Sequence, residues 1–417
     1  MTAIQSPDRS DPNTGDIVII GASHAGVQTA VSLREANFEG AITLISDDAH
    51  TPYHRPPLSK AFLKDDNHDI QVLRAKNYYD DNNINLIKPV RAVRIDRENS
   101  EVLLDNAQSL KYSKLVIATG ARPRPIDIPG IDGDEIYQLR DYHDAQILRK
   151  AARSHQKAVV VGGGFIGLEA AATLKFLGMD VCVVEAAPRL MGRVVAPQIS
   201  QFVLEKFQAL GIEVCLDTPI SQIQTDGGKV SGVLCGDRNF SADIVLIGIG
   251  VVPNDELAKK AGLETANGIV VDAEFKTSAD NIYAIGDVCA YQHWLTGSFI
   301  RMESVQNATD QAKNLANTLT GNPQAYRAVP WFWSDQADMK IQMVGLSHNS
   351  KTVVTRENPQ RASLSAFHFD KDDQLIAIDT INAPADHMAG RKLIEAGISP
   401  TAEQAADADF RIKNLLM

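Results

Sequence analysis

One stretch, residues 158–185, constrains the fold more than any other part of the chain. Its sequence AVVVGGGFIGLEAAATLKFLGMDVCVVE joins an apolar run to a glycine-rich turn, a helical segment and a second apolar run. Gly162 permits a sharp turn, Gly164 permits backbone N–H groups to approach a pyrophosphate, and Gly167 permits close packing of helix on strand. The pattern predicts a strand–turn–helix–strand unit that binds a dinucleotide, and the alternative is the same turn in an ordinary parallel sheet.

An acidic residue, Glu185, ends the second apolar run. A carboxylate at this place accepts hydrogen bonds from the adenosine ribose, and its charge repels a 2′-phosphate. The sequence therefore favours NADH over NADPH. Arg189 and Arg193 follow shortly after and could soften this preference.

The same strand and glycine turn occur near the start of the chain. Residues 16–26, DIVIIGASHAG, supply the strand and the turn, and residues 41–46, AITLIS, supply the returning strand with Asp47 at its end. Ser23 replaces the middle glycine, which weakens the pattern. A second dinucleotide site and a bare βαβ unit therefore both stay open at this point.

Composition limits the class of protein. A chain of 417 residues is long enough for roughly two to four domains. The net charge of −11 argues against a nucleic-acid binder, because neutralising phosphates needs a basic face. Residues 1–14 are polar and predict a disordered tail without a signal-peptide core, and no apolar run reaches membrane-spanning length.

The four cysteines are scattered without a CxxC or other metal-ligand spacing. Most of them lie in or beside apolar runs, which predicts buried, reduced thiols, a cytoplasmic protein and no metal site. The four are Cys182, Cys215, Cys235 and Cys289.

A proline-rich segment, YHRPPLSK at residues 53–60, follows the first glycine unit. Two prolines stiffen the backbone, and Ser59 is predicted to N-cap a short helix that begins at Lys60. A rigid solvent loop and a functional loop are equally compatible with the composition. The position of Arg55 and Lys60 after the first nucleotide unit favours a functional role.

The remaining segments predict further strands and two chain crossings. Residues 71–112 alternate apolar and polar side chains, which predicts antiparallel strands. Residues 115–120, LVIATG, form a buried strand before a proline-rich connector, and VVPN after Gly250 marks the second crossing. From about residue 326, short alternating strands and a final helix predict a small α+β domain.

Three features in the second half of the chain have open roles. Asp287 ends a buried run, where it either caps a following helix or accepts a hydrogen bond from a flavin's ribityl hydroxyl. Residues 302–316 predict a helix whose N-terminus could direct its dipole at an electron-rich ring. The aromatic residues of 331–336, WFWSDQ, are more typical of a core than of a cofactor wall.

Both glycine turns and the motifs RPPLSK, LVIATGARPR, GGGFIGLE, GIGVVPN, TSADNIYAIGD and WFWSDQ occur in this order. From about residue 15 to near its C-terminus, the chain thus resembles the pyridine-nucleotide disulfide-reductase superfamily. Within it, the chain is similar to the NADH-dependent ferredoxin reductases of bacterial cytochrome P450 and ring-hydroxylating dioxygenase systems.

This resemblance implies an α/β fold with two Rossmann-like dinucleotide-binding domains of the glutathione-reductase type and a C-terminal α+β interface domain. The NAD domain is expected to be inserted in the FAD domain. The expected bounds are 15–121 and 249–325 for the FAD domain, 122–248 for the NAD domain and 326–417 for the C-terminal domain.

The resemblance also implies site residues for both cofactors. Lys60 matches the lysine beside the isoalloxazine, Glu169 matches the carboxylate that pairs with it, and Trp333 matches the aromatic on the nicotinamide side of the flavin. The FAD positions are Gly21, Ser23, Ala25, Gly26, Asp47, Arg55, Lys60, Arg91, Thr119, Gly120, Arg140, Asp287 and Val305. The positions on the NAD side are Gly162, Gly164, Phe165, Ile166, Gly167, Glu169, Glu185, Arg193 and Gly250.

The activity implied by the resemblance is electron transfer from NADH through FAD, one electron at a time, to a [2Fe–2S] ferredoxin that serves a cytochrome P450 or a dioxygenase. Residues 1–150 contain no cysteine, which excludes the dithiol and cysteine-peroxide chemistry of other superfamily members. An NADH oxidase remains an alternative. So does an NADH-sensing flavoprotein of the apoptosis-inducing-factor kind.

Docking of an acidic ferredoxin on this acidic chain would need a local basic rim. Arg74, Lys313 and Lys340 lie in segments that the resemblance places near the flavin edge. Ordinary solvated surface charges are an equally good interpretation of these residues.

Overall fold

The computed structural model describes residues 15–417 and divides into two compact units. The first unit holds the described residues up to His54 together with Gln71–Arg122 and Val252–Ala328. The second unit holds Arg55–Ile70, Pro123–Val251 and Val329–Met417. The predicted disordered tail, residues 1–14, lies outside the described part of the chain.

The strands of the described residues are short and numerous. In chain order they are β1 Ile17–Ile20, β2 Ile42–Ile45, β3 Ile84–Ile87, β4 Ala92–Asp96, β5 Glu101–Leu104, β6 Ser109–Lys111, β7 Lys114–Ile117, β8 Ala121–Pro123, β9 Ile136–Tyr137, β10 Lys157–Val161, β11 Asp180–Val184, β12 Glu213–Cys215 and β13 Gln222–Asp226. They continue with β14 Lys229–Cys235, β15 Arg238–Ser241, β16 Ile244–Ile247, β17 Val251–Pro253, β18 Ile269–Val271, β19 Ile282–Ala284, β20 Cys289–Gln292, β21 Phe299–Ile300, β22 Trp331–Gln336, β23 Met339–Gly345, β24 Thr352–Asn358, β25 Ser363–Phe369 and β26 Leu375–Ile381.

The α-helices of the same residues are α1 His24–Glu35, α2 Ala61–Lys64, α3 Lys76–Asp81, α4 Tyr142–Ser154, α5 Phe165–Phe176, α6 Pro197–Ala209, α7 Glu256–Lys260, α8 Val305–Leu319, α9 Pro384–Ala396 and α10 Ala402–Ala406. Short 3-10 turns cover Pro56–Ser59, Gly286–Val288, Ser347–Asn349, Pro359–Arg361 and Ile412–Leu416. Within residues 15–417, every helix is too short or too polar to cross a bilayer.

The first unit is built on a five-stranded parallel sheet in the order β19-β7-β1-β2-β3. Its central strand β1 is a continuous apolar run because both faces of the sheet are buried there, as the adjacent residues Val18 and Ile19 show. The prediction of antiparallel strands throughout residues 71–112 is wrong for β3, which pairs parallel with β2. It holds for β4, β5 and β6, which form an antiparallel sheet.

The second unit repeats this architecture in the order β12-β11-β10-β16-β9, again with parallel pairing. In both sheets the strand before the glycine turn is flanked by the returning strand on one side and by a later strand on the other. The antiparallel strands β13, β14 and β15 share a core with this sheet through Ile223, Val233 and Phe240. In each sheet the strand order thus reverses beside the strand that precedes the glycine turn. Rossmann-like folds bind dinucleotides at such a reversal.

The C-terminal part of the second unit is an antiparallel sheet, β22-β23-β26-β25-β24. Its core residues include Val344, Phe367 and Ile378, and α9 adds Leu393. The predicted α+β character is therefore present, with α9 and α10 following the sheet where one final helix was expected.

The proline-rich loop after the first sheet belongs to the second unit. The Arg149 guanidinium lies 4.0 Å from the ring centre of Phe62 and donates hydrogen bonds to the carbonyls of Phe62, Asp65 and His68. Residues 55–70 were expected within the first FAD segment, whereas these contacts anchor them to α4. The division into three domains stays a prediction.

Candidate functional site

The glycine turn of the second unit is shaped by close backbone approaches. A Cβ atom on Gly162, whose φ is +111°, would lie 2.5 Å from the carbonyl oxygen of Gly248, and one on Gly167 would lie 2.4 Å from the carbonyl oxygen of Gly162. At Gly164 the nearest atom to such a Cβ is 4.0 Å away. Two glycines are therefore required by the fold, and the third leaves room in front of the start of α5. This space fits a pyrophosphate at a helix N-terminus.

Glu185 is fixed beside this turn by backbone donors. Its Oε2 accepts a hydrogen bond from the Gly163 amide at 2.5 Å, and its Oε1 accepts one from the Ala187 amide at 2.7 Å. The carboxylate stands at the end of β11, at the position expected for a ribose contact. The two backbone donors thus fix the orientation of the carboxylate.

The two arginines near Glu185 have different surroundings. Arg189 donates to the Val195 carbonyl at 2.6 Å and to the Ser200 hydroxyl at 3.2 Å, so its guanidinium serves the local loop. Arg193 is exposed, and its Nη2 lies 3.3 Å from the point that a Cβ on Gly250 would occupy. Arg193 is thus the arginine available to a ligand, next to a second predicted NAD position.

Three donors converge on the carboxylate of Glu169, which is only 6% exposed on α5. Lys60 Nζ donates to its Oε2 at 2.8 Å, Ser59 Oγ donates to the same oxygen at 2.6 Å, and Ser334 Oγ donates to Oε1 at 2.5 Å. A buried carboxylate needs such compensation because desolvation strongly disfavours an isolated charge. The structure therefore joins Lys60 to Glu169, as the resemblance implies, and adds two hydroxyls that were not expected.

The backbone around Lys60 differs from the predicted one. Ser59 was expected to cap a helix starting at Lys60, but α2 begins at Ala61, and Ser59 ends the 3-10 turn Pro56–Ser59. The N-cap prediction is wrong because the Ser59 hydroxyl instead donates a hydrogen bond to the buried Glu169 carboxylate. A hydrogen bond to a charged carboxylate is stronger than the neutral hydrogen bond of a serine cap.

Successive side chains of β22 lie on opposite faces of the strand and have different surroundings. Ser334 is fully buried toward Glu169, whereas Trp333, on the opposite face of the strand, is half-buried with its ring centre 6.0 Å from that of Trp331. Phe332 packs on Phe165 with ring centres 4.8 Å apart. The predicted Phe165 and Glu169 positions on α5 thus both contact β22.

The glycine turn of the first unit is also shaped by close backbone approaches. A Cβ on Gly21, whose φ is +108°, would lie 2.3 Å from the Ala118 carbonyl oxygen, and one on Gly26 would lie 1.9 Å from the Gly21 carbonyl oxygen. Ser23 is the N-cap residue of α1, and its side chain makes no capping hydrogen bond to the helix. The start of α1 therefore keeps backbone donors for an anion, which fits the diphosphate of FAD.

Polar groups predicted to contact FAD are paired in both units. In the first unit, Arg91 Nη2 lies 3.2 Å from Asp47 Oδ2, and both side chains are mostly exposed. In the second unit, Arg55 Nη1 donates to the Arg140 carbonyl at 2.8 Å. The structure thus brings together two pairs of residues that the resemblance assigned to FAD separately.

Asp287 lies within the 3-10 turn Gly286–Val288, and β20 follows it directly. The alternative that Asp287 caps a following helix is therefore wrong. The turn is held by Gln311, whose Oε1 accepts from the Gly286 amide at 2.7 Å, and a Cβ on Gly286 would come within 3.0 Å of Ala25. The structure accordingly places Asp287 beside the start of α1.

Helix α8 begins at Val305 rather than at residue 302. The Ser304 hydroxyl accepts a hydrogen bond from the Asn307 amide at 3.0 Å and so sets the helix start. The predicted Val305 position therefore lies in the first turn, where the partial positive charge of the helix is greatest.

The turn after β7 is secured by Asn254, which the sequence interpretation did not single out. The Thr119 hydroxyl donates to the Asn254 carbonyl at 2.8 Å, and the Asn254 amide group donates to the Thr119 carbonyl at 2.9 Å. The Asn254 backbone amide also donates to the Gly120 carbonyl at 2.9 Å. In the sequence, the asparagine that ends the VVPN crossing was the signal from which this contact with the turn could have been predicted.

The candidate ferredoxin-docking residues have unequal surroundings. Arg74 is half-buried over the Tyr78 ring and donates to the Leu73 carbonyl. Lys313 and Lys340 are exposed. Lys340 belongs to the second unit and the other two to the first, so the docking surface stays a prediction.

All four cysteines are free thiols. Cys289 is buried in the first unit, and burial raises its pKa to about 12. Cys215 and Cys235 are also buried, whereas Cys182 is half-buried. Its raised pKa makes the Cys289 thiol inert at neutral pH.

Comparison with known proteins gives a consistent set of relatives. The sequence pattern of the pyridine nucleotide-disulphide oxidoreductases matches residues 15–312, and that of the reductase C-terminal family matches residues 331–416. Rhodocoxin reductase from Rhodococcus erythropolis is 43% identical over 95% of this chain and 93% of its own length.

Two solved structures are similar over nearly their full length. The ferredoxin reductase for the CYP199A2 system from Rhodopseudomonas palustris is 44% identical, with a TM-score of 0.93 over 96% of this chain and 99% of that chain. The reductase in the covalent putidaredoxin reductase–putidaredoxin complex is 34% identical, with a TM-score of 0.92 over 96% of this chain and 98% of that chain. The predicted fold class is confirmed.

Proposed function

The chain belongs to the pyridine nucleotide-disulphide oxidoreductase family, and we propose that it is a flavoprotein reductase that passes electrons from NADH to a [2Fe–2S] ferredoxin. The ferredoxin would serve a cytochrome P450 or a ring-hydroxylating dioxygenase. Two relatives support this acceptor, because one is the ferredoxin reductase for the CYP199A2 system and the other is the reductase of a covalent complex with putidaredoxin.

The observation that carries the proposal is the ion pair between Lys60 and the buried Glu169. With it goes the absence of any cysteine from residues 1–150, where a thiol-dependent member of the family would carry its nucleophile. A fixed ammonium group can stabilise the negative charge that develops on a ring during hydride transfer. Thiol chemistry would also require a cysteine nucleophile. The combination supports a reductase that works through its cofactor alone.

FAD, when bound, accepts electrons in pairs from NADH and releases them singly, which a one-electron acceptor requires. The chain's own residues bind and orient FAD and NADH. The turn at Gly21 and Gly26 would hold the FAD diphosphate, and the turn at Gly162 and Gly164 would hold that of NADH. Glu169 keeps the Lys60 ammonium in one position, so the positive charge needs no reorganisation during the reaction.

Helix α8 contributes a second electrostatic element. Its N-terminus, capped by Ser304, would stabilise negative charge on the bound ring system through the helix dipole. Glu185 would select NADH, because its carboxylate is held beside the turn and repels a 2′-phosphate. A cytoplasmic location is part of the proposal, since the free cysteines suit a reducing compartment.

Replacing Lys60 by methionine tests the proposal. The variant keeps the length of the side chain and removes its charge, so we expect FAD to stay bound while flavin reduction by NADH slows by about 10- to 100-fold in stopped-flow absorbance. Lys64→Met, an exposed lysine on the following helix, is the matched control and should leave the rate unchanged. Equal rates in wild type and Lys60→Met would remove Lys60 from the mechanism.

The acceptor is tested separately. Reduction of cytochrome c by NADH should require added [2Fe–2S] ferredoxin if the chain is a ferredoxin reductase. Rapid oxygen consumption without ferredoxin would favour the NADH oxidase instead. Slow flavin reduction with a long-lived charge-transfer absorbance would favour the NADH-sensing flavoprotein.

We propose that Arg74, Lys313 and Lys340 contribute to ferredoxin docking. Attraction between opposite charges is screened by salt, so the KM for ferredoxin should rise with ionic strength while the KM for NADH changes little. Lys313→Gln and Lys340→Gln should each raise the ferredoxin KM at low salt. A ferredoxin KM that is independent of salt would exclude electrostatic docking.

A further inference from the structure

A group of metal-ligand side chains lies on strands β11 and β12 of the second unit. The Sγ atoms of Cys182 and Cys215 and a carboxylate oxygen of Glu213 all lie within 4.8 Å of one another. None of the three belongs to the predicted cofactor sites. Cys182 is in the middle of β11, whereas the cofactor turn follows the end of β10.

Strand register explains why residues far apart in sequence meet. Cys182 pairs with Glu213 across β11 and β12, and Cys215 stands two residues further along β12. Paired residues, and residues two apart on one strand, project from the same face of a sheet. The three donors therefore form a triangle on one face, at the edge strand of the parallel sheet.

Two of the three donor residues, Cys182 and Glu213, line a cavity of about 610 Å³ together with Arg238. The Glu213 side chain is 61% exposed and the Arg238 side chain is 55% exposed, so an ion from solvent reaches the cavity at Glu213. Access and donors thus occur at the same place.

The donor set fits a thiophilic cation. Two thiolates and one carboxylate are typical zinc ligands, and three protein ligands leave a fourth position for water. Two sulfur atoms bound to one zinc ion at about 2.3 Å in tetrahedral geometry lie about 3.8 Å apart. The observed limit of 4.8 Å is about 1 Å wider, which side-chain rotation can close.

A positive group already faces these donors. Arg238 Nη2 lies 3.0 Å from Cys215 Sγ and 3.7 Å from Glu213 Oε1. The guanidinium therefore stands where a cation is electrostatically favoured. Because its side chain is more than half exposed, it can turn into solvent when an ion arrives.

We propose that Cys182, Glu213 and Cys215 bind a divalent cation of the zinc type and that the ion displaces Arg238. On binding, each thiol releases its proton to solvent, and both sulfur atoms bond to the metal. The sequence interpretation expected no metal site because the cysteines have no metal-ligand spacing, whereas the sheet brings two of them together.

The test uses the full-length protein with FAD bound and its thiols reduced. Titration with Zn²⁺ in a calorimeter should show one equivalent per chain with a dissociation constant of about 1 μM or below. Co²⁺ in place of Zn²⁺ should give d–d absorption at longer wavelength than oxidised flavin, with the intensity of a tetrahedral sulfur site. Neither readout depends on NADH or ferredoxin, so this proposal and the proposed function can fail independently.

Variants assign the ligands. Cys182→Ser and Cys215→Ser should each weaken Zn²⁺ binding at least about tenfold, and Arg238→Gln should strengthen it severalfold by removing the competing charge. Cys289→Ser is the matched control, because Cys289 is a free cysteine buried in the first unit. If the serine variants fail to fold, Glu213→Gln at an exposed position keeps the test and should also weaken binding.

Three outcomes would overturn the proposal. The first is the absence of stoichiometric Zn²⁺ binding to the reduced protein. The second is binding that survives both Cys182→Ser and Cys215→Ser. The third is a Cys182–Cys215 disulfide, found by mass spectrometry in protein prepared without reductant, together with no Zn²⁺ binding after reduction.

Discussion

Replacing Ser334 by alanine removes one of the three donors to the Glu169 carboxylate. The Ser334 hydroxyl donates at 2.5 Å, Ser334 is fully buried, and Glu169 is only 6% exposed. Water therefore cannot easily replace the lost donor. A hydrogen bond to a charged group contributes about 1.5–3 kcal/mol, so we expect Ser334→Ala to lower the free energy of unfolding by about 2–3 kcal/mol.

Urea denaturation followed by circular dichroism measures this loss. All variants are compared at saturating FAD, because a bound cofactor stabilises the folded state by mass action. Differences in the midpoint, multiplied by a common slope, give the change in free energy. Ser109→Ala is the matched control, because the Ser109 hydroxyl donates to the Glu101 carboxylate at 3.0 Å in an exposed setting and should contribute below about 0.5 kcal/mol.

The same variant should affect catalysis, since Glu169 also holds Lys60. We expect flavin reduction by NADH to be slower in Ser334→Ala than in wild type and faster than in Lys60→Met. Ser334→Ala and Ser109→Ala with equal stability would show that the hydroxyl does not compensate a buried charge. The account of the Glu169 cluster would then be refuted.

Three further substitutions probe the second unit. Gly164→Ala has room for its methyl group in the protein itself, so the fold and FAD binding should persist while the methyl group obstructs the dinucleotide and raises the KM for NADH at least about tenfold; an unchanged KM would argue against a pyrophosphate at this turn. Glu185→Ser should lower the ratio of kcat/KM for NADH over NADPH at least about tenfold, and a constant ratio would remove Glu185 from cofactor selection. Burial lowers the pKa of His387 to about 4 from 6.5, so the unfolded chain binds more protons between these values and stability should rise with pH across this window, by up to about 3 kcal/mol for a difference of 2.5 pH units. His387→Gln should flatten that rise in urea midpoints measured from pH 4 to 7, the exposed His143→Gln should not, and identical profiles for both would contradict the assignment.

The glycine turns could be predicted from sequence because their constraint is local. Gly167 approaches the Gly162 carbonyl within one strand–helix unit, and Gly162 has a positive φ of +111° in the turn itself, so the motif spacing records both. The same reasoning predicted a strand–turn–helix–strand unit at each of the two glycine turns. The pairing direction of β3 was predicted wrongly because its half-buried alternation looks the same on the edge of a parallel sheet as in an antiparallel one.

The contacts of Glu169 could not be predicted in full because they join distant parts of the chain. Ser334 is 165 positions from Glu169, and Ser59 is 110 positions away. A serine in a loop suggests a helix cap, and only the fold shows that a buried charge uses the hydroxyl instead. The approach of Cys182 to Cys215 could not be foreseen for the same reason, since strand register brings the two residues together.

The Glu169 cluster also limits how such reductases can be recombined. Its carboxylate fastens three stretches of one polypeptide, which carry Ser59 with Lys60, Glu169 and Ser334. An engineer who exchanges the C-terminal region with that of a relative, in order to change the redox partner, would keep these contacts only if the donor sequence has a hydroxyl at the position of Ser334. A chimera without this hydroxyl would have the new surface but would hold Lys60 less firmly. Residues 59 and 169 would then have to be replaced together with the C-terminal region.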